Sequence, residues 1–100
     1  MYQRDKINEI YRQIAHIGKR FGVEKIVLFG SRARGTNQEK SDIDLAVYGC
    51  EKFFDFQAEV EEKVWTLLRF DMVDMNRESI SAELLDEINR DGVILYEKIW

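Results

Sequence analysis

The 100-residue sequence contains no proline, one cysteine and one histidine. A single cysteine excludes an intramolecular disulfide, and one histidine with one cysteine leaves no cluster of zinc ligands. No apolar run exceeds four residues, which is too short to span a membrane. Because the first residues are polar and do not have the pattern of a secretory leader, we expect a cytoplasmic protein.

Positive charge is also scarce. The sequence has 15 Lys and Arg residues and 19 Asp and Glu residues, so the net charge is -4. A broadly basic surface is therefore excluded, and we do not expect nucleic acid as a ligand except through a partner protein. The length suits one domain, and no linker or internal repeat interrupts it. We therefore expect residues 1–100 to form a single domain.

The hydrophobic pattern predicts alternating helices and strands. Apolar residues recur at helical spacing over residues 2–21, and Gly22 supplies a stop. Residues 24–29 form a short apolar run that ends at Gly30, which is typical of a strand buried on both faces. The remaining predictions are a strand over 42–48, a helix with apolar positions from Phe53 to Leu68, a strand over 70–75, a helix over 81–90 capped by Ser81, and a strand over 93–96. The predicted order is α-β-β-α-β-α-β, of the α/β (α+β) class.

Asp42 and Asp44 carry the strongest chemical signal. Side chains two apart on a strand share a face and lie about 7 Å apart along it, and nothing apolar on that face is expected to hide these two. Neighbouring carboxylates repel each other, a cost that a bound cation offsets. Phosphoryl transfer with two metal ions uses such carboxylates, so we predict magnesium here.

A second signal is the turn Gly30-Ser31-Arg32-Ala33-Arg34-Gly35, which follows a buried strand and is expected to form one helical turn. Gly30 allows close approach of the backbone to a phosphate, Ser31 offers a hydroxyl group, and amides at a helix start attract anions. Arg32 or Arg34 would add positive charge, and we favour Arg32 for the phosphate. The turn is thus a predicted phosphate site.

A third carboxylate is expected from the strand over 70–75. Asp71 and Asp74 lie three apart and face opposite sides of that strand, so only one of them can join Asp42 and Asp44. Alternation alone leaves both possible, because both faces of the strand are half apolar.

Gly30-Ser31, ten further residues, Asp42-Ile43-Asp44 and a later strand aspartate together resemble the DNA polymerase beta-type nucleotidyltransferase superfamily. Residues 30–35 and 41–47 are similar to those of the minimal nucleotidyltransferases, found as one half of two-gene toxin–antitoxin pairs. The similarity extends over most of the chain.

The resemblance implies a mixed β-sheet with flanking helices, and Asp71 as the third carboxylate beside Asp42 and Asp44. These three would ligate two Mg²⁺ ions and carry catalysis, while ATP would be bound by Gly30, Ser31, Arg32 and Arg34. It further implies a HEPN-type partner, an all-helical protein, and transfer of AMP from ATP to a tyrosine of that partner.

Two alternatives stay open: a non-catalytic antitoxin that neutralises its partner by binding it, and transfer to a small molecule or an RNA. A domain this small has little chain left to enclose a base or an acceptor, which also favours a partner. Trp65, Trp100 and the phenylalanines after residue 52 are expected in the core, with Trp65 as a possible interface residue.

Overall fold

The computed structural model of the chain describes residues 2–77 and 79–99, with side chains from Lys6 onward. Its elements are α1 (Tyr2–Arg20), β1 (Lys25–Phe29), α2 (Ser31–Arg34), β2 (Ile43–Tyr48), α3 (Phe53–Lys63), β3 (Phe70–Asp74), α4 (Ala82–Asp91) and β4 (Val93–Glu97). The predicted order is confirmed, with the expected helical turn after β1 present as α2. All predicted ends but that of α3 lie within one residue of these, which is the usual scatter at element ends.

The four strands form one mixed sheet in the order β3-β2-β1-β4. β1 runs antiparallel to both β2 and β4, whereas β2 runs parallel to β3. A parallel pair needs a crossover connection, and α3 provides it between β2 and β3. β1 and β2 therefore occupy the centre of the sheet, and β3 and β4 form its edges.

Both faces of the central strands are covered, but unequally. The larger core packs α1 and α3 against one face and contains the fully buried Ile43, Leu45 and Val47 of β2. On the other face, Ile88 of α4 joins a smaller cluster. The buried members of that cluster are Val27, Phe29, Ala46 and Ile88. The prediction that β1 is buried on both faces is confirmed, as is the alternation along β2.

α3 is shorter than predicted, and Leu67 and Leu68 do not belong to it. The helix ends at Lys63, and Val64 adopts an extended conformation with φ -92° and ψ 106°. Just beyond it, the hydroxyl of Thr66 accepts a hydrogen bond from the amide of Leu68 at 3.1 Å. Such a bond from a side chain satisfies a backbone amide without a further helical turn, so the helix can end before it. The spacing of apolar residues could not reveal this bond.

The tryptophan prediction needs correction. Trp65 is 91% exposed and therefore does not belong to the core, and Leu67 beside it is fully exposed. Of the phenylalanines in α3, Phe53 and Phe56 are buried as expected, whereas Phe54 is 79% exposed. Trp100 lies outside the described residues.

The predicted cap of α4 is confirmed. The hydroxyl of Ser81 accepts a hydrogen bond from the amide of Leu84 at 3.1 Å, so Ser81 is the cap of α4. No helix in the described part of the chain combines the length and apolarity that a membrane crossing requires.

The phenylalanines of α3 allow a matched test of the core. Replacing the fully buried Phe56 by alanine should lower the free energy of unfolding by about 3–5 kcal/mol, because it leaves a cavity between α3 and the sheet. Phe54→Ala on the same helix should change it by less than about 0.5 kcal/mol. Denaturant unfolding of both variants measures the difference, and equal losses would contradict this description of the core.

Candidate active site

Asp44 lies at the centre of the candidate site because β2 lies between β1 and β3. The register pairs Asp44 with Phe29 at the end of β1 and with Asp71 near the start of β3. Residues paired across a ladder project to the same face of a sheet. Asp44 and Asp71 therefore share the face on which α4 packs. Asp42 precedes β2, and its charge adds to the repulsion at Asp44, so it lies close to the same site.

The register also separates Asp71 from Asp74. Asp74 pairs with Val47, whose side chain belongs to the opposite, fully buried face. Its carboxylate accepts a hydrogen bond from the amide of Asn76 at 3.0 Å and so closes the turn after β3. The structure thus brings Asp71, and not Asp74, beside Asp44.

The surroundings of Asp44 are electrostatically unfavourable for a carboxylate. Partial burial, followed by repulsion from Asp71, Asp42 and Glu87, raises the pKa of Asp44 from 3.8 to about 6. The positive charge of Arg34 opposes this rise but does not cancel it. The expectation that nothing hides this carboxylate is corrected by its partial burial, which strengthens the repulsion because charges are screened less away from water.

Gly30 brings the backbone against this carboxylate. Its φ of 75° lies in the region that side chains disfavour. A Cβ atom added there would overlap the Oδ2 atom of Asp44 and lie 3.1 Å from its Cγ atom. Both the backbone conformation and the close approach therefore require glycine, and the turn after β1 directly borders the aspartates.

The turn itself is tightly organised. The amides of Ala33 and Arg34 both donate to the carbonyl oxygen of Gly30 at 3.1 Å, and Gly35 ends α2 in the left-handed conformation. The first amides of a helix have no partner within it, so those of Ser31 and Arg32 lie at its open start. Ser31 is partly exposed at this point, next to Gly30.

Arg34 connects the turn to α4. Its guanidinium group pairs with the carboxylate of Glu87 at 3.2 Å, and both charges influence Asp44. Glu87 is a residue of the site that the sequence analysis missed. Its only signal was its place on α4, and no local pattern shows that α4 packs over the aspartate face.

Arg32 has different neighbours. Its Nε atom donates to the carbonyl oxygen of Ser41 at 3.0 Å, and its Nη2 atom donates to that of Glu39 at 3.0 Å. The hydroxyl of Ser41 accepts from the amide of Gln38 at 2.9 Å, a bond within its own loop. The arginine favoured for phosphate binding thus holds the loop before β2, while Arg34 is the one near Asp44.

The donor chemistry of this face suits a hard divalent cation. Asp42, Asp44 and Asp71 supply carboxylate oxygens, the ligands that Mg²⁺ prefers, and their mutual repulsion is relieved by positive charge. Within residues 2–77 and 79–99, no three Asp, Glu, His or Cys side chains converge closely enough to hold an ion.

Comparison with known proteins identifies the family of this chain. The family model described as "Polymerase beta, Nucleotidyltransferase" matches residues 12–99. The chain belongs to the polymerase beta nucleotidyltransferase family. The resemblance seen in the Gly-Ser turn and the Asp-x-Asp strand is thereby confirmed. No protein of curated function matches the chain significantly.

Solved structures show the same nucleotidyltransferase fold. The crystal structure of a toxin–antitoxin with AMP-PNP aligns with a TM-score of 0.67 and 23% identity, covering 88% of this chain and 73% of that one. A mutant of the toxin–antitoxin MntA-HpeT aligns with a TM-score of 0.66 and 21% identity over the same shares. A Sulfolobus solfataricus protein considered to be a nucleotidyltransferase aligns with a TM-score of 0.60 and 21% identity, covering 97% and 86%.

The raised pKa of Asp44 predicts a pH-dependent stability in the absence of metal. Its pKa in the folded protein, about 6, exceeds its ordinary value of 3.8, so the wild type gains stability as the pH falls through this interval. Asp44→Asn removes the charge and should raise the Tm by about 2–4 °C at pH 7.5 in EDTA. The difference should shrink between pH 6 and pH 4. Thermal unfolding across this range measures it, and a difference independent of pH would contradict the prediction.

The contact between Gly30 and Asp44 predicts an unequal cost for two glycine substitutions. Gly30→Ala should destabilise the protein more than Gly22→Ala, because both glycines have a positive φ but only Gly30 has a neighbour within 4 Å of the added Cβ atom. The strain shared by both is about 1–2 kcal/mol. Denaturant unfolding of the two variants measures the excess, and an equal cost would show that Asp44 moves aside freely.

Proposed function

We propose that this chain transfers AMP from ATP to a hydroxyl group of a partner protein, with release of pyrophosphate, as the antitoxin of a toxin–antitoxin pair. The observation that carries the proposal is the placement of Asp44 and Asp71 on one sheet face, with Asp42 close enough to repel Asp44 and the turn at Gly30 and Ser31 beside them. Membership of the nucleotidyltransferase family supports the reaction type.

In the proposed reaction the triphosphate lies along the turn after β1. The open amides at the start of α2 and the hydroxyl of Ser31 would donate to phosphate oxygens, and Gly30 leaves room for them. Arg34, whose partner Glu87 is a surface carboxylate, can exchange that ion pair for phosphate contacts. These groups would hold the α-phosphorus in front of the aspartates.

The transfer forms one bond and breaks one. The acceptor oxygen attacks the α-phosphorus, the bond from that phosphorus to the oxygen bridging to the β-phosphate breaks, and pyrophosphate leaves with the bonding electrons. The acceptor proton passes to a carboxylate, and Asp71 is proposed for this role because it lies at the sheet edge. Mg²⁺ held by Asp42, Asp44 and Asp71 would supply positive charge that stabilises the developing negative charge.

A partner protein is proposed as the acceptor for two reasons. In the part of the chain that the structure describes, α4 is the helix that packs on the face bearing the aspartates, which leaves room there for an acceptor from another molecule. Exposed apolar side chains, such as Trp65 and Leu67, are typical of interface positions. The similar crystal structures of toxin–antitoxin complexes, one of them with AMP-PNP, support the same interpretation. The sequence resemblance suggests that the partner is of the HEPN type.

One observation favours a second candidate, a non-catalytic antitoxin that acts by covering its partner. Trp65 and Leu67, which are apolar residues suited to binding a partner, are already exposed. Protection of cells by an Asp44→Asn variant at normal expression would favour this candidate over AMP transfer. Loss of protection with an intact complex would favour catalysis.

Asp71 and Asp74 of β3 face opposite sides of the sheet, and this difference provides the decisive test of catalysis. The chain is purified with the product of its neighbouring gene and incubated with magnesium and ATP that is radioactively labelled at the α-phosphate. Asp44→Asn and Asp71→Asn should reduce labelling of the partner by about 100-fold or more, because each removes charge that the transition state requires.

The matched control is Asp74→Asn on the same strand. Asparagine keeps the oxygen that accepts from Asn76, so this variant should label the partner within about twofold of the wild type. Undiminished labelling by Asp44→Asn, or equal losses at positions 71 and 74, would refute the proposal. Label found in RNA or in a small molecule would instead identify that class of acceptor.

A further inference from the structure

Arg32 makes two hydrogen bonds to one short stretch of backbone. Its Nε and Nη2 atoms reach the carbonyl oxygens of Ser41 and Glu39, each at 3.0 Å. Two donors of one rigid guanidinium plane thus fix two carbonyl groups that lie two residues apart. The side chain is partly buried, and it lies beside the half-buried Tyr11 of α1.

These bonds act on the backbone directly before Asp42. The Ser41 carbonyl belongs to the peptide group that precedes Asp42, and Arg32 holds it. The peptide group on the other side of Asp42 is also held, since the amide of Ile43 donates to the carbonyl oxygen of Arg69 at 2.8 Å. Asp42 itself is exposed and precedes β2, so these two bonds hold its backbone on both sides.

Arg32 attaches the end of this loop that lies nearest Asp42. Residues 36–41 contain no helix or strand. At the start of the loop the amide of Thr36 donates to the carbonyl oxygen of Ser31 at 3.0 Å, and within the loop Gln38 and Ser41 form a reciprocal pair at 2.9 and 3.1 Å. Arg32 adds bonds at Glu39 and Ser41 and so joins the far end of the loop to α2, the same turn that borders Asp44 through Gly30.

We infer that Arg32 is a positioning residue: it attaches the loop over 36–41 to the phosphate-binding turn and thereby holds Asp42 in place for metal binding and transfer. This inference rests on the proposed function. It replaces phosphate binding as the role of Arg32, because the donors of its guanidinium group are directed at backbone carbonyls. It also couples the turn and the first aspartate mechanically, so that a change at one is transmitted to the other.

Arg32→Lys separates positioning from charge. Lysine keeps the positive charge but is a point donor that cannot hold both carbonyl groups in one plane. In assays of the complex with ATP, a positioning role predicts that kcat of the Arg32→Lys variant falls about 10- to 100-fold, because small misplacements of catalytic groups are costly. Its KM for ATP should stay within about threefold of the wild-type value. A phosphate-binding role predicts near-normal kcat for Arg32→Lys and a raised KM for Arg32→Gln, and that result would overturn the inference.

Two measurements independent of activity complete the test. In Arg32→Lys, amide hydrogen exchange over residues 36–42 should be at least about tenfold faster than in the wild type, and Mn²⁺ titrated without nucleotide should bind about tenfold more weakly. Arg12→Lys, which alters an exposed arginine of α1, is the control and should change neither. Unchanged exchange, or faster exchange with unchanged metal affinity, would overturn the inference. Because neither measurement needs turnover, both decide it even if the wild type transfers no AMP.

Discussion

The register of β2 between β1 and β3 is the constraint on which the rest of this molecule depends. Side chains alternate along a strand, so a slip of one residue would turn Asp44 into the larger core and expose Leu45. Full burial of Ile43, Leu45 and Val47 makes that slip very unfavourable. The apolar face of β2 therefore fixes the position of the carboxylate on its other face, and through the same pairing it fixes Asp71 beside Asp44.

The site that this register creates has an electrostatic cost. Asp44 is partly buried among carboxylates, and Arg34 is the cation that opposes their repulsion. A fold selected only for stability would place asparagine or an apolar residue at this position. This cost is offset when a cation arrives with the substrate, because each of the carboxylates that repel one another is then attracted to the cation.

Periodicity was sufficient to predict most of the fold and part of the site. Alternation along β2 placed Asp42 and Asp44 on one face, and this needed no tertiary information. The choice between Asp71 and Asp74 required knowledge that β3 runs parallel to β2 with Asp71 opposite Asp44, which no local pattern contains. The end of α3 was missed for a related reason, because the hydroxyl of Thr66 competes with the helix after Lys63.

The arginines show a further limit of sequence reasoning. Arg32 and Arg34 have the same charge and lie in the same turn, and their spacing indicates only that they point to different sides. Their different contacts arise from elements distant in sequence, the loop over 36–41 for one and α4 for the other. A charge pattern can therefore predict that a turn binds anions without predicting which arginine does so.

Arg32 also borders a groove on the surface of the protein. A groove of about 910 Å³ runs between the first half of α1 and the segment after α3, and Arg32 lines it together with Trp65 and Leu67. A protein seated in this groove would contact the residue that holds the loop before Asp42. Binding of a partner in the groove and the geometry of the metal ligands would then be linked through one guanidinium group.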